Sequence, residues 1–219
     1  INLKIQQTSN DTYLKTDKIE SELITDNNFL ENSLGLDLYS DEISISLNAN
    51  VYEDLDKNDH DRFEYIFPRI DLTKNIDNKT NLNGNFSFKS QALARNYNTN
   101  VYERTNVNDL IFKSYPKITS NGFYNDYEFL IKNTNSSNKN STYKNHENFY
   151  LSSIFQYNSS LPLIRENEIY QKILKPKFSL KIAPPHTKDN RNDETKIDLS
   201  NIYSINRFTG STTEGGLWI

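Results

Sequence analysis

The sequence has 219 residues, 35% of them hydrophobic, and a formal net charge of −4 from 25 Lys and Arg against 29 Asp and Glu. That length fits one or two domains, and the charge balance excludes a nucleic-acid binder, which needs a basic excess to neutralise phosphates. The absence of Cys excludes disulfide frameworks, thiolate metal sites and cysteine nucleophiles.

No Met occurs, even at position 1, so a processed product or an internal piece of a longer chain is expected, and no signal peptide opens these residues. Asn accounts for 32 residues and Tyr plus Phe for 26, while Gly and Pro number 6 each. Excess Asn, Ser and Lys is the composition of a disordered chain, but such chains are poor in aromatic rings. The Asn excess is read as the codon usage of an A- and T-rich genome rather than as an Asn-specific function. The longest apolar run is three residues, as in Phe129-Leu130-Ile131, against the ~20 a membrane helix requires. A transmembrane β-strand needs only ~9–11 residues with every second one apolar, so a barrel stays open to this chain.

In chain order, Asp11–Leu23 has room for a short helix but no sustained apolar face. Phe29–Tyr39 and Glu42–Tyr52 then read as a hairpin around the turn-forming pair Ser40-Asp41. Leu34, Leu36 and Leu38 share one face of the first strand. In the second, Ile43, Ile45, Leu47, Ala49 and Val51 alternate with Ser44, Ser46, Asn48 and Asn50. A strand sends successive side chains to opposite faces, so this is an apolar face backed by a polar one. Asp54–Asp61 is an acidic connection, and Phe63–Leu72 a weaker strand. Alternation returns around Phe86 and Phe88, weakens at Asn98–Arg104 and Leu110–Thr119, and is clear at Tyr127, Phe129 and Ile131, where Leu130 breaks the polar side. Asn133–Asn148 reads as a polar connection. Phe149, Leu151, Phe155 and Tyr157 define the next strand. Arg165–Leu174 is a second helix-sized stretch, treated like the first as loop decoration. Phe178, Leu180 and Ile182 alternate with Lys177, Ser179 and Lys181. After the polar stretch Pro184–Thr195, Ile197 and Leu199 mark one strand and Leu217–Ile219 a last one, with Gly215-Gly216 as the turn feeding it. Pro68, Pro116, Pro162 and Pro176 fall where a missing donor is tolerated. The total is about ten strands, all-β, of up-and-down antiparallel type.

No strand is apolar on both faces, and the polar faces are rich in Ser, Asn, Lys and Asp. This favours a water-filled barrel over a sandwich, which stays open as the alternative. Tyr39, Tyr52, Tyr102, Tyr115, Tyr157 and Tyr203, near strand ends, fit interfacial girdles or simple strand propensity.

Motifs for chemistry are few. His60, His146 and His186 form no H-x-x-x-H or H-E-x-x-H pattern, so no metal site is expected. Asp54, Asp56, Asp59 and Asp61 fail the EF-hand pattern, with Asp59 where Gly and Tyr65 where Glu belong. No nucleophile elbow, P-loop or dinucleotide fingerprint occurs, so neither catalytic residues nor a cofactor are expected.

Several segments in order nonetheless carry a resemblance. They are Asp11-Thr12-Tyr13-Leu14, Ile66-Phe67-Pro68-Arg69-Ile70-Asp71, Ile173 to Leu180 running to Ala183-Pro184, Asp198 to Phe208, and Glu214-Gly215-Gly216. In order and spacing the series resembles the lipopolysaccharide-assembly protein LptD family, also called organic solvent tolerance protein. The resemblance runs from about Asp11 to the end. It implies an internal part of a large outer-membrane β-barrel, with residues 1–219 as a partial barrel domain lacking the family's N-terminal jellyroll and closing strands. It also implies transport of lipopolysaccharide into the outer leaflet. The implied partners are a lipoprotein plug (LptE-like), a periplasmic bridge protein (LptA-like) and outer-membrane lipid, with no nucleic acid. The family's Cys pairs and gate residues have no counterpart here. On this reading Ser44, Ser46, Asn48 and Asn50 line a wet lumen, and Lys89, Lys177, Lys181 and Arg207 are candidate cations for phosphates. The alternatives are a soluble or surface-attached all-β binding module, such as an adhesin or polysaccharide binder, and an outer-membrane β enzyme.

Overall fold

The computed structural model describes residues 1–17, 26–57, 61–141, 147–167, 170–185 and 203–206, together with the backbone of 213–218. In chain order these form β1 (Asn2–Lys4), α1 (Tyr13–Asp17), β2 (Phe29–Tyr39), β3 (Ile43–Asp54), β4 (Phe63–Ile76), β5 (Gly84–Tyr97), β6 (Val101–Ser114), β7 (Lys117–Ile118), β8 (Tyr124–Lys139), β9 (Asn148–Ser160), β10 (Leu163–Glu166), β11 (Gln171–Leu174), β12 (Lys177–Ile182) and β13 (Thr213–Trp218). Ten strands make one antiparallel up-and-down sheet in the order β1-β2-β3-β4-β5-β6-β8-β9-β12-β13, open rather than closed, with β7 paired to β8. The fold is therefore the all-β meander that the alternation predicts, with about the predicted number of strands.

The chain forms two compact units, one of residues 1–74, 89–108 and 134–149 and one of 75–88, 109–133 and 150–219. In the first, the β2–β3 hairpin closes through Ser40 N donating to Ile43 O at 2.8 Å. Its register sets Leu34 opposite Ala49, Leu36 opposite Leu47 and Leu38 opposite Ile45. β4 then continues the row, with Leu72 opposite Ile45 and Ile70 opposite Leu47, and with Tyr65 opposite Val51. Apart from Ile66, the apolar residues of β4 are odd-numbered before Pro68 and even-numbered after it. A β-bulge between Asn48 and Asn50, where Phe67 and Pro68 share a cis peptide, makes that phase change and keeps both halves on one face. Pro68 has no N–H to contribute to a ladder, so the bulge suits it. Leu14 of α1 packs with Leu30 and Leu55 into a small buried cluster. The first helix-sized stretch thus holds one short helix, and the rest of it, residues 18–23, lies outside the described residues.

Three expectations are corrected, two of them in the second unit. The described residues of Arg165–Leu174 are not helical: β10 and β11 form a hairpin with Ile164 opposite Ile173 and Arg165 opposite Lys172. It closes through Asn167 N donating to Tyr170 O at 3.0 Å. Without an apolar face a helix has nothing to pack, and flanking Pro162 and Pro176 favour extended chain. Gly215 and Gly216 are not a turn but lie within β13, opposite Leu180 and Ser179. Asn133–Asn148 is a connection only in part, because β8 runs on to Lys139. Strand pairing is made by backbone groups, so a polar run can extend a strand; Asn133 Nδ2 also donates to Tyr150 O at 3.4 Å. The strand expected at Ile197 and Leu199 lies outside the described residues.

Burial here is inverted relative to a soluble sheet. On β9 and β12, Leu151, Phe155, Phe178 and Ile182 are exposed, whereas Ser152, Gln156, Asn158, Ser160, Ser179 and Lys181 are buried. The buried apolar cluster of this unit, Leu130, Ile154, Ala183 and Ile205 with Ile111 against it, is a small socket. On the opposite face of the strands a row of aromatics crosses β5, β6, β8 and β9: Phe86–Phe112 at 4.7 Å, Phe112–Tyr127 at 5.7 Å and Tyr127–Phe155 at 6.1 Å between ring centroids.

Candidate functional site: the polar face

In the first unit the polar face is built by register. Ser44, Ser46, Asn48 and Asn50 stand together on β3, opposite Tyr39, Asp37, Gly35 and Ser33 of β2 and Thr73, Asp71, Arg69 and Ile66 of β4. Asn48 Nδ2 donates to Ser46 Oγ at 3.0 Å, and Asn50 Nδ2 to the Tyr52 hydroxyl at 3.1 Å. The Lys4 ammonium meets the Glu31 carboxylate at 2.6 Å. Gln91 Nε2 donates to Asp71 Oδ1 at 3.0 Å. Arg95 donates to Glu64 at 2.6 Å and lies 4.0 Å from the Tyr97 ring, while the Tyr97 hydroxyl donates to Glu103 at 2.8 Å. Lys89 is exposed, two residues from Gln91 and so on the same side of β5.

In the second unit the same kind of face is covered by its own chain. Lys132 pairs with Asp109 at 2.8 Å. Asn158 Nδ2 donates to Asp126 Oδ1, and Gln156 Nε2 to Asn158 Oδ1, both at 2.8 Å. Residues Tyr203–Asn206 lie across β9 and β12. Gln156 Nε2 donates to Tyr203 O at 2.9 Å, Lys181 Nζ to Ser204 O at 2.6 Å, and the Tyr203 hydroxyl to Lys177 O at 3.0 Å. The Lys177 ammonium sits 4.0 Å from the centre of the Tyr203 ring. Ile205 fills the Leu130–Ile154–Ala183 socket. Burial raises the Tyr203 phenol above its ordinary value.

Lys177 and Lys181 therefore come together on one four-residue segment, which sequence spacing did not join to them. Ser44, Ser46, Asn48 and Asn50 form one row, and Lys89 lies exposed on its own strand. Arg207, His60, His146 and His186 lie outside the described residues. Sequence reading missed Gln156, Asn158, Asp126 and Tyr203; the available signal was Leu130, whose intrusion on a polar face marks the socket. The Arg95–Glu64 and Lys132–Asp109 pairs join strands by contacts that single-strand alternation does not encode. Tyr52 turns toward the polar network, with its hydroxyl 3.5 Å from Glu31, and Tyr115 and Tyr157 bond Asn85 and Asn125 at 2.6 and 2.8 Å.

Chemically, the face offers dense donors and acceptors in both units. Among the described residues no group of three His, Cys, Asp or Glu could hold a metal ion, and no helix is long and apolar enough to cross a membrane, which says nothing against crossing by strands. A comparison with curated proteins gives no match. The family model LptD, LPS transport system D, matches residues 1–212. Covering nearly the whole chain, and agreeing with an all-β sheet of alternating strands, this match shows that the chain belongs to the LptD family, an outer-membrane β-barrel family of lipopolysaccharide transport and assembly.

Proposed function

We propose that these residues form part of the wall of a barrel that delivers lipopolysaccharide to the outer leaflet. The apolar face, with Leu36, Leu38, Phe155 and Phe178, meets acyl chains. The polar faces, with Ser44, Ser46, Asn48, Asn50 and Lys89 in the first unit and Lys177 and Lys181 in the second, line the wet passage taken by sugars and phosphates. The carrying observation is the inverted burial of β9 and β12: a soluble sandwich would bury Phe178 and Ile182 and expose Ser179 and Lys181, but Phe178 is 39% exposed and Lys181 is 7% exposed. Family membership supports the cargo and the outer-membrane location. A lipoprotein plug on the lumen side, a periplasmic bridge protein, and a jellyroll and closing strands in other parts of the assembly complete this reading.

The test is photo-crosslinking in membranes with the full-length protein. A photoreactive residue at Asn48 is expected to capture lipopolysaccharide while transport runs, and one at Leu36 to capture membrane lipid whether or not it runs. Capture of a neighbouring protein layer at Leu36, with no lipid, would overturn the proposal and favour the all-β binding module.

A further inference from the structure

The register of β9 and β12 sets Ser179 opposite Asn158 and Lys181 opposite Gln156. These four polar side chains make a square on the polar face, each between 1% and 7% exposed. Two donors of the square converge on oxygens of the covering segment, Gln156 Nε2 on Tyr203 O and Lys181 Nζ on Ser204 O. Two polar atoms of the square, Gln156 Oε1 and Ser179 Oγ, are buried with no hydrogen-bond partner among the described residues. Buried polar groups are normally satisfied, and an unmet one is costly. The two backbone carbonyls of the segment only accept, so they answer the ammonium and the amide N–H but give nothing to a carbonyl oxygen such as Gln156 Oε1. A ligand that both donates and accepts, with negatively charged oxygens for Lys181, would meet the whole square.

We propose that Gln156, Asn158, Ser179 and Lys181 form a binding subsite for the hydroxyl- and phosphate-bearing head group of the transported lipid, and that Tyr203–Asn206 occupies it as a releasable stand-in. This rests on the reading that the polar face lines the passage. The segment is held by Ile205 in its apolar socket and by the hydrogen bonds with Gln156, Lys181 and Lys177, and it leaves as one piece when head-group oxygens replace its carbonyls at the square. The subsite is then hidden at rest and opens as cargo arrives.

Ser179→Cys tests this, because it is nearly isosteric and these 219 residues hold no other Cys, and labelling of the full-length parent without the substitution is subtracted as background. Its labelling by a small charged methanethiosulfonate is followed in outer-membrane vesicles holding the full-length protein, with and without supplied lipopolysaccharide. Ile205→Ala, or Tyr203→Ala where that variant does not assemble, loosens the segment in the same background. Labelling is expected to rise about tenfold on supply and to be fast in the loosened variant. There, soluble phosphorylated core oligosaccharide at twice its dissociation constant should slow it about threefold. A thiol that stays sealed during supply, though reactive in the loosened variant, overturns the release. Unchanged labelling in the presence of the oligosaccharide overturns the subsite. Loss of lipopolysaccharide capture at Asn48 instead overturns the reading of the polar face, and is scored separately.

Discussion

Lys181 Nζ donates to the carbonyl of Ser204 at 2.6 Å from a side chain that is 7% exposed. A buried ammonium bonded to a backbone oxygen fastens a distant segment to β12. A hydrogen bond involving a charged group contributes about 1.5–3 kcal/mol. Lys181→Met keeps much of the stem and removes the donor, so Ser204, Ile205 and Asn206 amides should exchange with solvent roughly tenfold faster or more. Hydrogen-exchange mass spectrometry in micelles checks this. Unchanged protection of 203–206 would mean that Ile205 and the contacts of Tyr203 with Gln156 and Lys177 hold the segment without Lys181.

The two faces of the β2–β3 hairpin should respond oppositely to charge. Leu36 lies opposite Leu47 on the apolar face, and Ser46 opposite Asp37 on the polar one. A lysine on a lipid face costs about 2–4 kcal/mol at the bilayer midplane and little in a wet lumen. Leu36→Lys is therefore expected to lower assembled barrel in the outer membrane severely, while Ser46→Lys leaves it near the parent level and gains attraction to Asp37. Heat-modifiability on gels reads both. Equal tolerance would remove the lipid from the Leu36 side.

This hairpin was legible because both strands keep one phase from end to end and their apolar rows meet in register. β4 was harder to read, because its apolar phase switches at Pro68, and only the bulge shows why Tyr65 and Ile70 belong to one face. The far part of β8 was hidden for a different reason: Asn and Ser carry no periodic signal, yet backbone pairing extends the strand through them. The covering segment was least legible. Tyr203 reaches Gln156 across 47 positions through a backbone oxygen, a contact that neither side chain encodes. Only Leu130, apolar where β8 should be polar, betrayed the socket that receives Ile205. Of the expected path residues, the β3 row follows from alternation alone, whereas the joining of Lys177 and Lys181 needed three dimensions.

Glycine positions separate rigid from yielding neighbours. A Cβ on Gly84 would stand 2.4 Å from Lys113 O, 2.6 Å from Phe112 Cζ and 2.7 Å from Ser114 Cα. Two of those atoms are backbone and cannot swing away. On Gly35 the nearest atom would be Asn48 Oδ1, a side-chain tip, at 3.1 Å. Gly84→Ala should thus destabilise by about 1–3 kcal/mol, the usual cost of overpacking, and Gly35→Ala by clearly less. Denaturant midpoints of the two variants in one detergent give the comparison, and a Gly35 variant as damaged as the Gly84 variant would refute it.

Two tyrosine- and aspartate-based contacts set opposite pH limits. Arg62 Nη1 and Nη2 donate to the two Asp11 carboxylate oxygens at 2.9 and 2.6 Å, and its Nε donates to Glu53 at 2.7 Å. The hydrogen bonds from Arg62 hold the Asp11 carboxyl below its ordinary 3.8. A lowered acid stabilises the folded state above its unfolded pKa and loses that contribution as pH falls through the folded value. The tether between the Asp11 segment and β3 should therefore stay intact at neutral pH and weaken only below about pH 4. Tyr203 is the reverse. Burial raises its phenol above the ordinary 10.0, so its contribution is full below pH 10 and is lost as pH rises through the raised value. Exchange of the amides of residues 203–206, followed from pH 8 to 11 and corrected for intrinsic rates, should stay slow up to pH 10 and accelerate beyond it. Tyr203→Phe, which cannot ionise, should abolish that acceleration while keeping the ring over Lys177. An acceleration that persists in the Phe variant would assign the alkaline opening to another group.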